Sequence, residues 1–432
     1  MWLLLQRGAS IMSMCRIVSI CFRESAASPI FRASVEGEGV AMTPVRNCLV
    51  VGAGIGGLGA AVALRQQGID VDVVEIKPDA HVVGVGINQP GNSLRALDVL
   101  GVLEECLDVG YQFDRNEHFD WQGRHILLTP CSLGTDRVPP NNALARADLH
   151  RILGDAARRA GVNVRYGASV ADLVDDGDGV TVTFTDGRVG RYDAAAAFDG
   201  IRSPMRRRLF GAAVEPEYTG FAVWRVTMPR PAEVTHTMLF HGDRSNTGVI
   251  PLSPEHMYLL HVTAEPEDAR YEDTELAALL RQRLAGYGGL VAQLRDTLPD
   301  DGVVYSPISE VHLPAPWHRG RVIVLGDAAH ASAPNLTQGA AMALEDAVVL
   351  ADELARDRPV VDSLAAVSDM RFARTKLVQD VSHGILATEM AITADGLEDF
   401  AANLREHLPG QAAFVEAKLN EHFRLVADPV TT

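Results

Sequence analysis

One stretch limits what this chain can fold into more than any other: Asn47-Cys-Leu-Val-Val-Gly52-Ala-Gly54-Ile-Gly-Gly57-Leu-Gly-Ala-Ala-Val-Ala-Leu64. Its apolar opening, residues 48–51, reads as a buried parallel strand. Three glycines follow in the G-x-G-x-x-G spacing and lead into an alanine-rich helix. Gly52 permits a tight turn, Gly54 lets a pyrophosphate approach the backbone, and Gly57 lets helix and strand pack closely. The start of the helix offers free N–H groups and the positive end of its dipole to the phosphates. A second strand, Ile69-Asp-Val-Asp-Val-Val-Glu75, ends in a carboxylate 23 residues past Gly52, where the ribose hydroxyls of an adenosine half would be bound. The competing reading is a membrane span, because residues 48–64 are uncharged. That run is at the short limit for a bilayer, and its glycines follow the fingerprint rather than one helix face. Dinucleotide binding is the stronger reading.

Composition narrows the partners. With 432 residues and 47% apolar side chains, the chain can bury the cores of two or three packed units. A net charge of −17 argues against nucleic acid or an anionic membrane as a partner. Cys15, Cys21, Cys48, Cys106 and Cys131 show no C-x-x-C and no metal spacing, which suits a reducing, cytoplasmic setting. Neither a zinc or iron signature nor a G-x-S-x-G elbow is present. Residues 1–42 hold short apolar pieces broken by Gln6, Arg7 and Arg16, and their arginines and serines are compatible with a weak transit-peptide reading. The plainer expectation is a disordered extension, with Met42 as the natural start.

Beyond Glu75, residues 84–92 read as a glycine-rich loop carrying Asn88 and Gln89, followed by a helix over 93–107. Strands are expected within 113–129, an amphipathic helix opening at Arg146, and a strand over 161–166. A ribbon over 179–187 turns on Asp186-Gly187, and a buried strand over 194–198 ends at Asp199-Gly200. From 218 to about 305 strand patterns dominate (222–227, 235–240, 247–251, 257–262), followed by a helix over 273–298. This is a second unit with an antiparallel sheet. A buried strand from residue 321 then stops at Asp327, a loop feeds a helix over 339–354, and helices continue beyond 362.

Three separated motifs carry a family resemblance: the fingerprint with Glu75, Asp199-Gly-Ile-Arg-Ser-Pro-Met-Arg206, and Gly326-Asp-Ala-Ala-His-Ala-Ser-Ala-Pro334-Asn-Leu-Thr-Gln-Gly339. In order and spacing they resemble the single-component FAD-dependent aromatic hydroxylases, the flavin monooxygenases related to p-hydroxybenzoate and salicylate hydroxylases. The second is similar to the family's D-G-x-x-S-x-x-R. The third is similar to its G-D-A-A-H-x-x-x-P-x-x-G-Q-G, with Thr337 where the family has glycine. The resemblance covers about residues 45–365. It implies an α/β fold: a Rossmann-like FAD-binding domain of p-hydroxybenzoate hydroxylase type, an inserted, mainly antiparallel β substrate domain, and C-terminal helices. The boundaries expected are 43–112 plus 143–217 plus 303–365 for the first, 113–142 plus 218–302 for the second, and 366–432 for the helical region. The FAD-binding set implied is Gly52, Gly54, Ile55, Gly56, Gly57, Glu75, Ile76, Gly86, Arg146, Val170, Asp199, Asp327, Pro334, Gly339 and Ala340. Asp327 would accept from ribityl hydroxyls, and the backbone N–H groups of 334–339 would face the N1–C2=O edge of the flavin, where charge appears on reduction. Arg146 would stand near the pyrophosphate and flavin. Asp199-Gly200 would serve both the dinucleotide region and the handling of NADH or NADPH, a reductant for which no second fingerprint is present.

On the substrate side the candidates are Asn88, Arg225 and His241, with Gln89, His236 and Tyr258 as further candidates; Trp224-Arg225 resembles the W-R of salicylate-hydroxylase-like members, and His330 reads as structural. The implied reaction is O2-dependent hydroxylation of a phenolic, benzoate-like or pyridine-carboxylate-like ring through a C4a-hydroperoxyflavin, by a monomer or homodimer without metal. Two alternatives stay open: another flavoenzyme of the same fold (a halogenase or isoprenoid reductase), and a non-catalytic flavin-binding redox sensor. The W-x-W-x-I-P motif of flavin halogenases is absent.

Overall fold

The computed structural model describes residues 45–80 and 84–421; the extension expected over 1–42 lies outside them. The apolar runs singled out above line up as a parallel sheet. From one edge it runs His318–Arg319, Val322–Val324, Ala194–Ala197, Asn47–Val51, Asp70–Glu75, Asn163–Tyr166. All pairs are parallel except the short first one. Its central strands are apolar because the sheet is covered: helices Ile55–Gln66 and Gly339–Leu354 pack on each other and share one core with Ala194–Ala197 and Val322–Val324, and Val180, Val182, Phe184 and Tyr192 join the same core. The ribbon turning at Asp186-Gly187 is present, with Val170–Asp175 as a third strand.

The second sheet has seven strands, in the order Val304–Glu310, Glu217–Pro229, His256–Ala264, Ser245–Pro251, Thr237–Gly242, Arg115–Asp120, His125–Pro130. It is antiparallel except where Thr237–Gly242 pairs in parallel with Arg115–Asp120. Alternation divides its side chains between two faces. Trp224, Val226, Phe240, Val249 and Leu259 form one core with the helices Leu276–Arg283 and Gly289–Asp296. The other face, with Val223 and Val262, packs on Ala333, Leu386 and Met390. Tyr258 and Ile250 on that face pack on Val85 and Ala143.

Three local expectations are corrected. The segment expected as a loop over 84–92 contains a strand, Gly86–Pro90, paired with Asn141–Ala145, whose backbone groups it satisfies. The helix expected over 93–107 is two, Gly91–Val99 and Leu103–Val109, broken where Gly101 takes φ +74°. The helix expected over 273–298 divides at Gly286 and Gly288, with a 3-10 turn between its halves. The boundary expected at 365 falls inside one helix, Val360–Ala391. No helix of the described residues is long and apolar enough to cross a membrane.

Candidate active site

At the fingerprint, Gly52 has φ +103° and its N–H donates to Val74 O at 2.7 Å. A Cβ on Gly57 would stand 1.9 Å from Gly52 O, whereas one on Gly54 would meet nothing within 4 Å. Gly57 is therefore the packing glycine, and Gly54 faces open space. No side chain caps the helix that starts at Ile55, so the first-turn N–H groups are free for a phosphate. A cleft continues from Ala53, Gly54 and Ile55 past Glu75, Lys77, Arg146, His150 and Tyr166. The Glu75 carboxylate accepts from Ala53 N at 2.8 Å and from Lys77 N at 3.0 Å, which fixes it at the cleft wall. His150 Nε2 donates to Ala53 O at 2.8 Å and braces the loop from the other side. Ile76 is 70% exposed beside Glu75. Val170 opens its strand just after Gly167 and Ala168, whose amides bond to Lys77 and Glu75 carbonyls. Arg146 N donates to Val85 O, and its side chain passes Gly84. The cleft thus combines free amides, a cation and a fixed carboxylate, which is the donor set that a pyrophosphate and a ribose require.

A second cluster surrounds the loop 334–339. Gly326 has φ +59° and turns the chain so that the Asp327 carboxylate is exposed beside Gly339. Pro334–Leu336 is a 3-10 turn, and Thr337 follows in the left-handed region at φ +55°. A β-branched residue there carries strain of about 1–2 kcal/mol. The Thr337 hydroxyl accepts from Asn88 Nδ2 at 3.4 Å, a bond glycine could not make. The helix Gly339–Leu354, with Ala340 in its first turn, again has no side-chain cap. Two amide oxygens beside this loop, Asn88 Oδ1 and Asn335 Oδ1, are buried without a partner. Orphaned acceptors of this kind are costly unless a ligand donates to them, and the ring N–H of a flavin or a substrate hydroxyl would do so.

Asp199 and Arg206 are positioned differently from a ligand contact. Asp199 accepts from Ser203 Oγ and Met205 N and so closes the turn into helix Pro204–Phe210. Burial raises its pKa. Arg206 is fully buried and donates to the carbonyls of Ala328, Ile201 and Val214. The second motif therefore braces the segment after Asp327 from behind. His330 donates from Nε2 to Asp346 at 2.6 Å in the core, the structural role expected of it.

On the inward face of the seven-stranded sheet, register aligns Arg225, Leu260, Gly248, Leu239 and His118 in one row across the strands. The next row holds Val223, Val262, Asn246 and His241. Gly248 lets the Leu260 side chain lie close over the sheet, since a Cβ there would stand 3.1 Å from Leu260 Cγ. Among the described residues no carboxylate stands against Arg225: its titratable neighbours are the Tyr258 phenol and Arg146, and burial lowers its pKa. Burial pushes the Tyr258 phenol up to about 12. Trp224, next to Arg225 in the strand, points the other way into the sheet core, and so does His236, a pocket candidate by sequence, which bonds Glu117 at 2.8 Å. Gln89 is buried and receives a bond from Asn142 Nδ2.

His241 is on the inward face but is 2% exposed, and both ring nitrogens are taken up, by His118 at 3.1 Å and Asn246 at 3.4 Å. It can reach a substrate only through its neighbours. Residues that sequence reasoning did not single out complete this corner: His118, Asn246, and Glu389 from the long helix Val360–Ala391. Among the described residues no group of His, Cys, Asp or Glu could hold a metal.

Comparison with known proteins agrees with this geometry. The family model described as an FAD binding domain matches residues 45–358. YetM of Bacillus subtilis is 34% identical over 79% of this chain and 93% of its own length. The 3-hydroxybenzoate 6-hydroxylase 1 of Aquipseudomonas alcaligenes is 31% identical over 84% of this chain and 93% of its own. Klebsiella pneumoniae HpxO, solved with FAD and uric acid, matches at a TM-score of 0.78 and 26% identity, covering 87% of this chain and 96% of that one. The resemblance carried by the three motifs and the α/β fold expected from it both hold, and the chain belongs to the FAD binding domain family, among whose members are FAD-dependent aromatic hydroxylases.

Proposed function

We propose that this protein uses NADH or NADPH and O2 to hydroxylate a small phenolic, benzoate-like or pyridine-carboxylate-like ring. The observation that carries the reading is the inward sheet face, turned toward the loop 334–339: Leu239, Leu260 lying over Gly248, and an arginine without an acid partner among the described residues. A relative named for 3-hydroxybenzoate and a related structure holding uric acid support an aromatic substrate. In this reading the first-turn amides at Gly54, Ile55, Gly56 and Gly57, with Arg146, hold the pyrophosphate. Glu75, Ile76 and Val170 border the adenosine. Gly86, Asp327, Pro334, Gly339 and Ala340 border the ribityl chain and ring, while Gly52 and Asp199 shape the backbone. The division into an FAD-binding part (43–112, 143–217, 303–365), a substrate part (113–142, 218–302) and C-terminal helices goes with it.

Bound FAD, once reduced by NADH or NADPH, would supply the activation of O2, and the oxygen atom transferred would come from O2. The chain's own residues bind and orient the ring. Arg225 holds an anionic substituent, Leu239 and Leu260 grip the ring and keep water away, and Asn88 and Asn335 accept from ring donors. Strands in the sheet lie about 4.8 Å apart, so Arg225 and His241 are roughly 14 Å apart across it. A single ring lying on Leu260, which covers Gly248, sits between them, and His241 acts at one remove.

A screen of substituted phenols, benzoates and pyridine carboxylates should find compounds that stimulate NAD(P)H oxidation. The product should carry one atom of label from ¹⁸O₂; stimulated oxidation with unlabelled product would remove the monooxygenase reading and leave FAD binding intact. Asp327→Ala should yield colourless protein at ordinary FAD concentrations, and a fully yellow variant would show that Asp327 does not hold the ribityl chain.

A further inference from the structure

Behind the loop 334–339 lies a buried row of hydrogen-bonding groups centred on Glu389, a carboxylate that the reading above leaves unused. Glu389 accepts from Asn335 Nδ2 at 2.9 Å on one oxygen and from Asn246 Nδ2 at 2.7 Å on the other. His241 Nδ1 lies 3.6 Å from the same carboxylate, too far for a hydrogen bond but within reach of a small side-chain rotation. His241 Nε2 faces His118 Nδ1 at 3.1 Å, with the two rings stacked, and Phe400 closes the corner edge-on. The row thus runs from the flavin loop, through the Glu389 carboxylate and the His241 imidazole, to His118, which keeps 7% of its surface open.

Asn246 Nδ2 donates both to Glu389 and toward His241 Nδ1, which makes Nδ1 an acceptor and leaves the proton on Nε2, pointing at His118. Both rings are neutral in this arrangement. Burial keeps them so, lowering His118 to about 4 and His241 well below its ordinary value. Burial acts on Glu389 in the opposite sense, raising it to about 7 against the two amide bonds. The titratable groups that face it are His241, with His118 behind, and the Tyr287 phenol. None is a cation at neutral pH, and Asp243 and Arg244 at the neighbouring turn are exposed.

We propose that Glu389 takes up one proton when the flavin gains two electrons and gives it back on reoxidation, a role that rests on the flavin placement proposed above. The reductant delivers electrons to the flavin and so adds negative charge beside the loop. A proton from water forms an O–H bond on the Glu389 carboxylate, itself 8% exposed, and cancels the buried charge facing it. Reoxidation breaks the same O–H bond and returns the proton to water. Asn335 makes Glu389 a positioning residue for this charge, since it joins the carboxylate to the loop.

The test is redox potentiometry of FAD-loaded wild type and Glu389→Gln, reduced with dithionite between pH 6 and 9. Above pH 7 the wild-type midpoint should fall with pH more steeply than the variant's, by one proton per two electrons. That is tenfold per pH unit, or about 30 mV. Equal slopes in two yellow proteins would overturn the proposal and leave the hydroxylase reading standing; failure of either protein to hold FAD in this cleft would instead remove the reading beneath it. Reduced-minus-oxidised infrared spectra of the wild type at pH 8 give a check that needs no variant. A protonated-carboxyl C=O band should appear on reduction, and its absence would overturn the proposal.

Discussion

Replacing Arg371 by methionine is expected to lower the unfolding free energy by about 3–5 kcal/mol and to weaken FAD retention in the same protein. Arg371 is 4% exposed and lies under the helix Gly339–Leu354. Its Nε donates to Asp346 at 2.6 Å, and another nitrogen donates to Glu345 at 2.7 Å. Arg374 binds Glu345 from the next turn, also through two nitrogens. Methionine fills much of the same volume, so the loss comes mainly from Asp346, a buried carboxylate left with only His330 and the Gly326 amide as partners. Asp346 also accepts from Gly326 N at 2.9 Å and from His330 Nε2, so its displacement moves the turn that presents Asp327. Burial alone would raise both acids. Arg374 and Arg371 outweigh it at Glu345, and His330 and Arg371 outweigh it at Asp346, holding each at about 2. Folded-state values below the unfolded ones give stability that is present above roughly pH 4 and lost as pH falls toward 2. Urea unfolding of the wild type should therefore weaken along that acid limb, and the variant should weaken less because part of the stabilisation is already gone. A variant with the wild-type urea midpoint at pH 7 would show that this network contributes nothing.

What was legible in the sequence was local. Gly52, Gly54, Gly57 and Glu75 lie within 24 residues, and one strand–turn–helix–strand unit sets their geometry. The end of the strand at Asp327 and the helix from Gly339 could be read for the same reason. The strand Gly86–Pro90 was hidden because its partner, Asn141–Ala145, lies some 50 residues on and the segment has no alternating pattern of its own. The corner around Glu389 was further out of reach. Its partners Asn246 and Asn335 are 143 and 54 residues away, and a glutamate on a long helix ordinarily faces solvent. Strand periodicity does divide Trp224 from Arg225, but only the packing shows which of the two enters the core. The parallel pairing of Thr237–Gly242 with Arg115–Asp120 joins segments too distant for any turn signal to announce.

The fingerprint itself offers the second large effect, because two of its glycines should fail in different ways. In Gly57→Ala the new Cβ would stand 1.9 Å from Gly52 O and 3.0 Å from Gly52 C, both backbone atoms. The helix Ile55–Gln66 can relieve that overlap only by moving off the strand Asn47–Val51. Leu58, Ala61 and Val62 would then lose contacts in the main core, at a cost of about 1–3 kcal/mol or more. The apoprotein should melt lower, and FAD should be lost with it. In Gly54→Ala the methyl meets no protein atom within 4 Å, so the fold has nothing to resist. A methyl on the open side of the turn, beside amides that must approach a pyrophosphate, should weaken FAD binding by at least about tenfold, or 1.4 kcal/mol, with the apoprotein melting temperature unchanged. Flavin titration and thermal unfolding of both apoproteins separate the two effects. If Gly54→Ala bound FAD as the wild type does, the phosphates could not be lying over that turn, and the flavin placement built on it would have to be abandoned.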